Sequence, residues 1–273
     1  MPARRTQQPF VAARQSRDVR SLLPTDLSSA QLRRIAPEIR ERGFFSARVQ
    51  LAEFLQTASD GIKQIASGVI TAPGEGVDTA TLRLQLKEVL QGLNYQPHPD
   101  DSGTIKDLRT DRRLNLIIDM GERQAHGYGQ FIQGQDPDVL DEFPCQELVR
   151  IMSRTQKRDW HARWREAGGE FVGGGRMIAR KDDPIWSQIS EFGLPYPPFD
   201  FGSGMGVVDV SRDEAEALGV IDPGEVTQPQ TRGLNDDLEM SVPARDAGLK
   251  AALMADVGDV AELDGDVLKW RAR

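Results

Sequence analysis

Glu147-Leu148-Val149-Arg150-Ile151-Met152 marks the point where this sequence changes character. These six residues form a short strand-like run, and two more follow: Arg176 to Ala179, behind Gly173, Gly174 and Gly175, and Val207-Val208-Asp209-Val210. A polar segment with Trp160 and Trp164 separates the first two. The stretch Pro195-Tyr196-Pro197-Pro198-Phe199 before the third cannot be regular helix, because proline lacks the amide donor and fixes φ. Ser211 then caps a helix carrying Ala215, Ala217 and Leu218. Past a linker rich in Pro, Gly and Gln, a helix is expected near Ala244 to Met254, and the Asp264-Gly265 pair between alternating apolar residues predicts a hairpin.

Upstream of Glu147 the apolar spacing is helical. Ser28 and Ser29 cap a helix bearing Leu32, Ile35 and Ile39. The series Phe44, Phe45, Val49, Leu51, Phe54, Leu55, Ile62 and Ile65 predicts one long helix or two consecutive ones, ending near Gly68. Asp78 or Thr79 caps the next, which bears Leu82, Leu84, Leu86, Val89 and Leu90 and is closed by Gly92. Asp107 to Ile132 predicts about seven turns of helix through Leu108, Leu114, Ile117, Ile118, Ala125, Tyr128 and Phe131. The fold class is therefore α+β: a helical N-terminal half, then a small, loop-rich region with short strands and a C-terminal hairpin. The expected divisions are a basic extended arm over 1–26, a helical domain over 27–135, a small α+β domain over 136–221, and an acidic linker and tail over 222–273.

The chain has 273 residues, 38% of them hydrophobic, enough for one large domain or two modest ones with real cores. No run approaches the roughly 18 consecutive apolar residues of a membrane helix, and the Arg-rich start has no apolar stretch behind it. Neither membrane insertion nor signal-peptide export is expected. Cys145 is the single cysteine, which excludes an intrachain disulfide and any zinc site built on two thiolates of one chain. Net charge is −8 but unevenly spread: residues 1–50 hold ten Arg against four acids, whereas residues 205–273 hold fifteen acids against seven Lys or Arg. Such polarity suits contact with nucleic acid, with an acidic protein surface, or between one end of a copy and the other end of its neighbour.

No catalytic constellation assembles from the remaining residues. His98, His126 and His161 have no His or Cys at ligand spacing, so neither a metal nor a cofactor is expected. The triple glycine lacks the Lys-Ser/Thr that a phosphate-binding loop needs, and Asp200-Phe201-Gly202 stands without the other kinase motifs. The adjacent acids Asp182-Asp183 and Asp236-Asp237 are of the type used for acid–base or two-metal chemistry, although neighbours on a chain usually point apart. The best contact candidate is the basic cluster Arg150, Arg154, Lys157, Arg158, Arg163 and Arg165, interleaved with Trp160 and Trp164; with Arg4, Arg5, Arg14, Arg17 and Arg20 of the arm it is suited to phosphates or an acidic partner. A plain solvated face with two packed tryptophans accounts for the cluster equally well.

The order of these features resembles the minor head proteins of tailed bacteriophages similar to protein F of phage Mu, a head-morphogenesis family. The resemblance runs from about Ile39 to Val220. Arg40-Glu41-Arg42-Gly43-Phe44-Phe45-Ser46-Ala47-Arg48-Val49 is similar to the family's opening helix, Leu82 to Leu93 to a short helix after it, and Arg113 to Gln130 to its long helix. The most specific stretch is Gly175-Arg176-Met177-Ile178-Ala179-Arg180-Lys181-Asp182-Asp183-Pro184-Ile185-Trp186, followed by the Pro197-Pro198 turn and by Val207 to Gly219. One departure is large: the family commonly has a Cys-Arg-Cys motif where this chain has Ser203-Gly204-Met205, so any metal or redox role of those thiols is withdrawn here.

The resemblance implies a structural, non-enzymatic virion protein, assembled into the head in the host cytoplasm, in contact with portal or major capsid protein and with packaged DNA as a further partner. Partner-contact candidates are Trp186, Tyr196, Pro197, Pro198, Phe199 and Phe201, the prolines stiffening a loop and the aromatics supplying area. A loop that only covers the core is the competing account. The alternative function is a nucleic-acid-binding or nuclease- or toxin-like effector associated with a particle. The only room for such a module is the tail after Asp222, which carries no His or Cys and whose acidity repels nucleic acid.

Overall fold

A computed structural model describes residues 20–32, 43–67, 77–154, 158–230, 239–241, 251, 254–255, 261–264 and 267–270. The fold is α+β with a helical N-terminal half. The first packed residues lie inside the expected arm: Ser21–Leu22 (β1) pairs in parallel with Gly43–Phe44 (β2), and Leu23 and Thr25 are buried, as is Leu27 just after it. Ser28 starts a short helix, Ser29–Leu32 (α1), through a reciprocal cap in which Gln31 N donates to Ser28 Oγ at 3.3 Å and Ser28 N to Gln31 Oε1 at 2.9 Å. Ile35 and Ile39 fall outside the described residues.

The stretch from Phe44 to Val49 corrects a sequence expectation. It is strand β2 and a turn, with Arg48 at φ 58°, and its Arg113-facing residues are held because Arg113 Nη2 donates to Ser46 Oγ at 2.7 Å and to Ala47 O at 3.0 Å. Apolar spacing alone does not separate helix from a strand and turn over so few residues. Helix begins at Ala52–Ser67 (α2), whose buried Phe54, Leu55, Ala58 and Ile62 share one face. Asp78 caps Thr79–Gly92 (α3) through Thr81 N, and Thr110 caps Asp111–Gln133 (α4) through Arg113 N. Leu82, Leu86 and Leu90 from α3 and Leu114, Ile117 and Ile118 from α4 close on α2 in one core. Each such side chain stabilises by about 1.5–3 kcal/mol when fully removed from water.

A turn of helix, Pro137–Glu142 (α5), capped by Asp136, leads into the sheet. Cys145–Arg150 (β3) is its centre, flanked antiparallel by Ile178–Arg180 (β4) and Met205–Val210 (β5). The period of two divides the residues between two layers. Cys145, Ile178 and Val210 pack under Ala215 of Arg212–Ala217 (α8, capped by Ser211), whereas Leu148, Ala179 and Met205 pack against Trp160 and Trp164 of Trp160–Glu166 (α6) and Trp186 of Ile185–Gln188 (α7). The β3 strand starts and ends two residues earlier than the sequence suggests. Ile151 N and Met152 N both donate to Gly204 O, at 3.0 and 3.1 Å, a bulge-like doubling that ends the ladder and leaves both side chains exposed.

The expected linker at 222 does not yet leave the body. Thr227 is buried, Gln228 N donates to Asp182 Oδ2 at 2.9 Å, and Gln230 N donates to Gln135 Oε1 at 2.6 Å. Farther on, Glu239–Ser241 (β6), Val267–Trp270 (β8) and Ala261–Asp264 (β7) form an antiparallel sheet with β8 central. Asp264 pairs with Val267, so the two strands of the expected C-terminal hairpin are paired, with Asp264 in the ladder. Most of the helix expected at 244–254 lies outside the described residues.

Candidate assembly interface

Trp186, the last residue of the stretch Gly175 to Trp186, is fully buried, edge-on to Trp164 at 5.4 Å and stacked with Phe199 at 6.2 Å. Its indole Nε1 donates to Arg180 O at 2.7 Å, and that of Trp164 donates to Glu170 O at 2.8 Å, so neither polar atom is stranded. The residues just before Trp186 aim it. Asp183 Oδ1 accepts from Ile185 N at 2.7 Å, and Asp182 takes Arg180 in two parallel hydrogen bonds at 2.8 and 2.6 Å, with Glu225 completing the pair on Arg180. Burial pushes the Asp182 carboxyl up, but the hydrogen bonds from Arg180 and Gln228 N outweigh it and hold the group below the ordinary carboxylate range. These two acids are structural.

The proline-rich segment folds over α4. Tyr196 wedges between Tyr128 at 5.7 Å and Phe131 at 5.4 Å, and the Pro197-Pro198 peptide bond is cis. Gly127 of α4 makes this approach feasible, since a Cβ there would stand 1.8 Å from Pro197 O. The next residues are fixed by charge. Asp200 is 8% exposed; its Oδ2 accepts from Arg158 Nε and Arg163 Nη1, both at 3.0 Å, and its Oδ1 from Phe201 N at 2.7 Å. Arg158 Nη2 also donates to Phe201 O at 2.9 Å, Arg163 reaches Glu191 at 3.4 Å and lies over the Trp160 ring, and Arg150 Nη1 donates to Ser203 O at 3.4 Å. The loop from Asp200 to Ser203 is thus held by guanidinium groups.

Several expected contact residues are placed elsewhere by this geometry. Trp186, Tyr196, Pro198 and Phe199 are buried and Pro197 is half-buried, so their side chains build the core and are not offered to a partner. The reason is the apolar area that each must hide. Phe201 alone of the set is exposed, beside Phe192 at 4.9 Å. The basic cluster is also corrected in part: Arg158 and Arg163 are neutralised by Asp200 and Glu191, and Arg165 stacks over Phe171. Arg20, expected in a free arm, is buried and donates to Gln124 Oε1 at 3.4 Å. Arg150 and Arg154 remain without a carboxylate partner among the described residues. Arg4, Arg5, Arg14, Arg17 and Lys157 lie outside the described residues, as do Asp236 and Asp237.

Asp200 and Glu191 were missed by sequence reasoning as partners of the cluster. An acid inside an aromatic, proline-rich stretch is the signal that points to them, because it must find a cation when buried.

Other reactive groups are quiet. Burial pushes the Cys145 thiol up to about 11, far from a nucleophile's range. His161 is exposed and stacked on Phe171, and no three His, Cys, Asp or Glu gather around a metal-sized space among the described residues. A polar cavity of about 330 Å³ lies between α4 and the sheet, where buried Lys181 pairs with Asp209 at 2.8 Å among Gln130, Gln133 and Gln146. An apolar one of about 130 Å³ opens between Phe44, Leu116, Phe192 and Phe201.

What fold and site define together is a mixed α+β protein with a braced, aromatic-cored loop region. No family model, curated protein or solved structure matches the chain.

Proposed function

We propose that this chain is a structural minor head protein of a tailed bacteriophage or prophage, acting in head morphogenesis through contacts with portal or capsid protein. It works without catalysis, as a braced surface in a large assembly. The observation that carries the reading is the fate of the family-like stretch: its acids are committed to Arg180 and to a helix start, and its tryptophan to the core. That commitment suits a scaffold. The bracing of Asp200 by Arg158 and Arg163 adds to it, since a loop fixed before binding loses less freedom on docking. Its exposed end, with Phe201, is where contact with a neighbour is expected.

The test is quantitative peptide mass spectrometry on density-purified particles from the source strain, scaled to portal and major capsid protein. Presence at a few to a few dozen copies per particle, roughly the range of a low-copy component, supports the proposal. Absence from particles and proheads, with abundance in the lysate, overturns it and favours a soluble binding module.

A further inference from the structure

The end of β3 combines two features that a solvated surface rarely holds together. Ile151 is 58% exposed and Met152 40%, both at the end of β3 where they meet Gly204. Scattered apolar residues are ordinary, but a contiguous group rimmed by charge marks a contact site. Its rim is Arg150 and Arg154. Arg150 donates to a carbonyl, and Arg154, its side chain laid against Gly204, makes one polar contact among the described residues, Nη2 to the Met152 sulfur at 3.9 Å. The outer guanidinium nitrogens of both residues have no carboxylate among the described residues, and a carboxylate from a partner would pair with them in charge-assisted hydrogen bonds.

The sequence itself contains a segment of matching chemistry. Residues 256–266 read Asp-Val-Gly-Asp-Val-Ala-Glu-Leu-Asp-Gly-Asp, five acids and no Lys or Arg, with Val257, Val260 and Leu263 spaced between them. Within it β7 is an edge strand of the C-terminal sheet, and both Glu262 and Asp264 on it are exposed. In the single chain, Arg150 and Arg154 meet no carboxylate among the described residues. We propose that this patch receives the acidic 256–266 segment of a second copy, carboxylates on the two arginines and apolar residues on Ile151 and Met152. Exposed apolar side chains favour a protein segment over nucleic acid, whose backbone would engage the arginines and leave the aliphatics wet. Because the patch of one copy takes the tail of the next, the contact is head to tail and can close into a ring or extend. The inference does not depend on the head-protein reading.

Sedimentation velocity of the full chain over a concentration series, at low and high salt, tests it. Association in the micromolar range is expected, weakened by salt. The double variants R150E/R154E and E262K/D264K should each weaken it by about tenfold or more, and the two combined should restore it. Circular dichroism checks that each variant folds; should the arginine pair prove essential to folding, E262K/D264K and Ile151→Asp carry the test alone, both expected to weaken association. A monomer at every concentration overturns the proposal, as do variants that leave association unchanged or a charge swap that fails to restore it. Binding of duplex DNA that R150E/R154E abolishes, in a chain that stays monomeric, overturns it in favour of a nucleic-acid site.

Discussion

Gly127→Ala isolates the approach between α4 and the proline-rich segment. The added Cβ would lie 1.8 Å from Pro197 O, 2.8 Å from Pro197 C and 3.3 Å from Tyr196 Cδ2. Two of these atoms are backbone, so the clash cannot be relieved by a rotamer change. The segment must retreat by more than an ångström, withdrawing Tyr196 from between Tyr128 and Phe131. Overpacking costs about 1–3 kcal/mol and partial loss of a buried aromatic adds to it, against the roughly 0.8–1 kcal/mol that Ala gains over Gly in a helix. A net loss of about 2–4 kcal/mol is expected. Gly92→Ala is the matched control, since nothing lies within 4 Å of its Cβ and it closes α3; it should be neutral or stabilise by up to about 1 kcal/mol. Urea unfolding read by tryptophan fluorescence separates the two, the midpoint moving by about 1 M or more for Gly127→Ala at a slope of about 2–3 kcal/mol/M. A Gly127→Ala midpoint at or above that of wild type refutes the close approach.

Three further outcomes follow from single groups. Arg109, hydrogen-bonded to Asp107, holds that carboxyl at about 2 from an ordinary 3.8, so Asp107 contributes about 2 kcal/mol that is fully present above pH ~4 and lost as pH falls through the folded value. The gap between the urea midpoints of wild type and Asp107→Asn should therefore be large at pH 6 and nearly gone by pH 2; a constant gap would sink the idea. Asp200→Asn leaves Arg158 and Arg163 without their shared carboxylate and should cost about 2 kcal/mol, less than for a deeply buried pair because Arg158 is partly solvated. Denaturation of Asp200→Asn beside Arg158→Gln checks this, the second being the milder. Cys145 should alkylate with iodoacetamide at pH 7.5 on the order of 100-fold more slowly in the native chain than in urea, given a thiol both buried and pushed up to about 11; comparable rates would place it at the surface.

Much of the fold was legible where local chemistry and periodicity agree. Asp78 caps the helix that follows it, Ser211 caps α8, and the Asp264-Gly265 pair falls at the C-terminal hairpin, whereas α4 starts at Asp111, four residues after its expected start, because Thr110 caps it. Phe44 to Val49 was not legible, because its pairing partner is Ser21–Leu22 and that contact is invisible in a window of ten residues. The exposure of Ile151 and Met152 was hidden for a like reason: Gly204, far along the chain, ends the strand. For the site, residue types were readable but partners were not. Arg163 finds Asp200 37 residues away and Glu191 28 away, so a cluster that counts as free charge in sequence is half neutralised in the fold.

The segment from Asp222 to Gln230 has a mechanical consequence. Whatever pulls on the tail loads this strap first, through Thr227 to Pro144 O, Gln228 N to Asp182 and Gln230 N to Gln135. Asp182 passes the strain to Arg180, whose carbonyl holds the Trp186 indole, while Pro144 immediately precedes the central strand. Tension at the C-terminal end is thus shared between the sheet with its tryptophan layer and the end of α4, where Gln135 N donates to Ile132 O, while none of the strap's three anchors lies on α2 or α3.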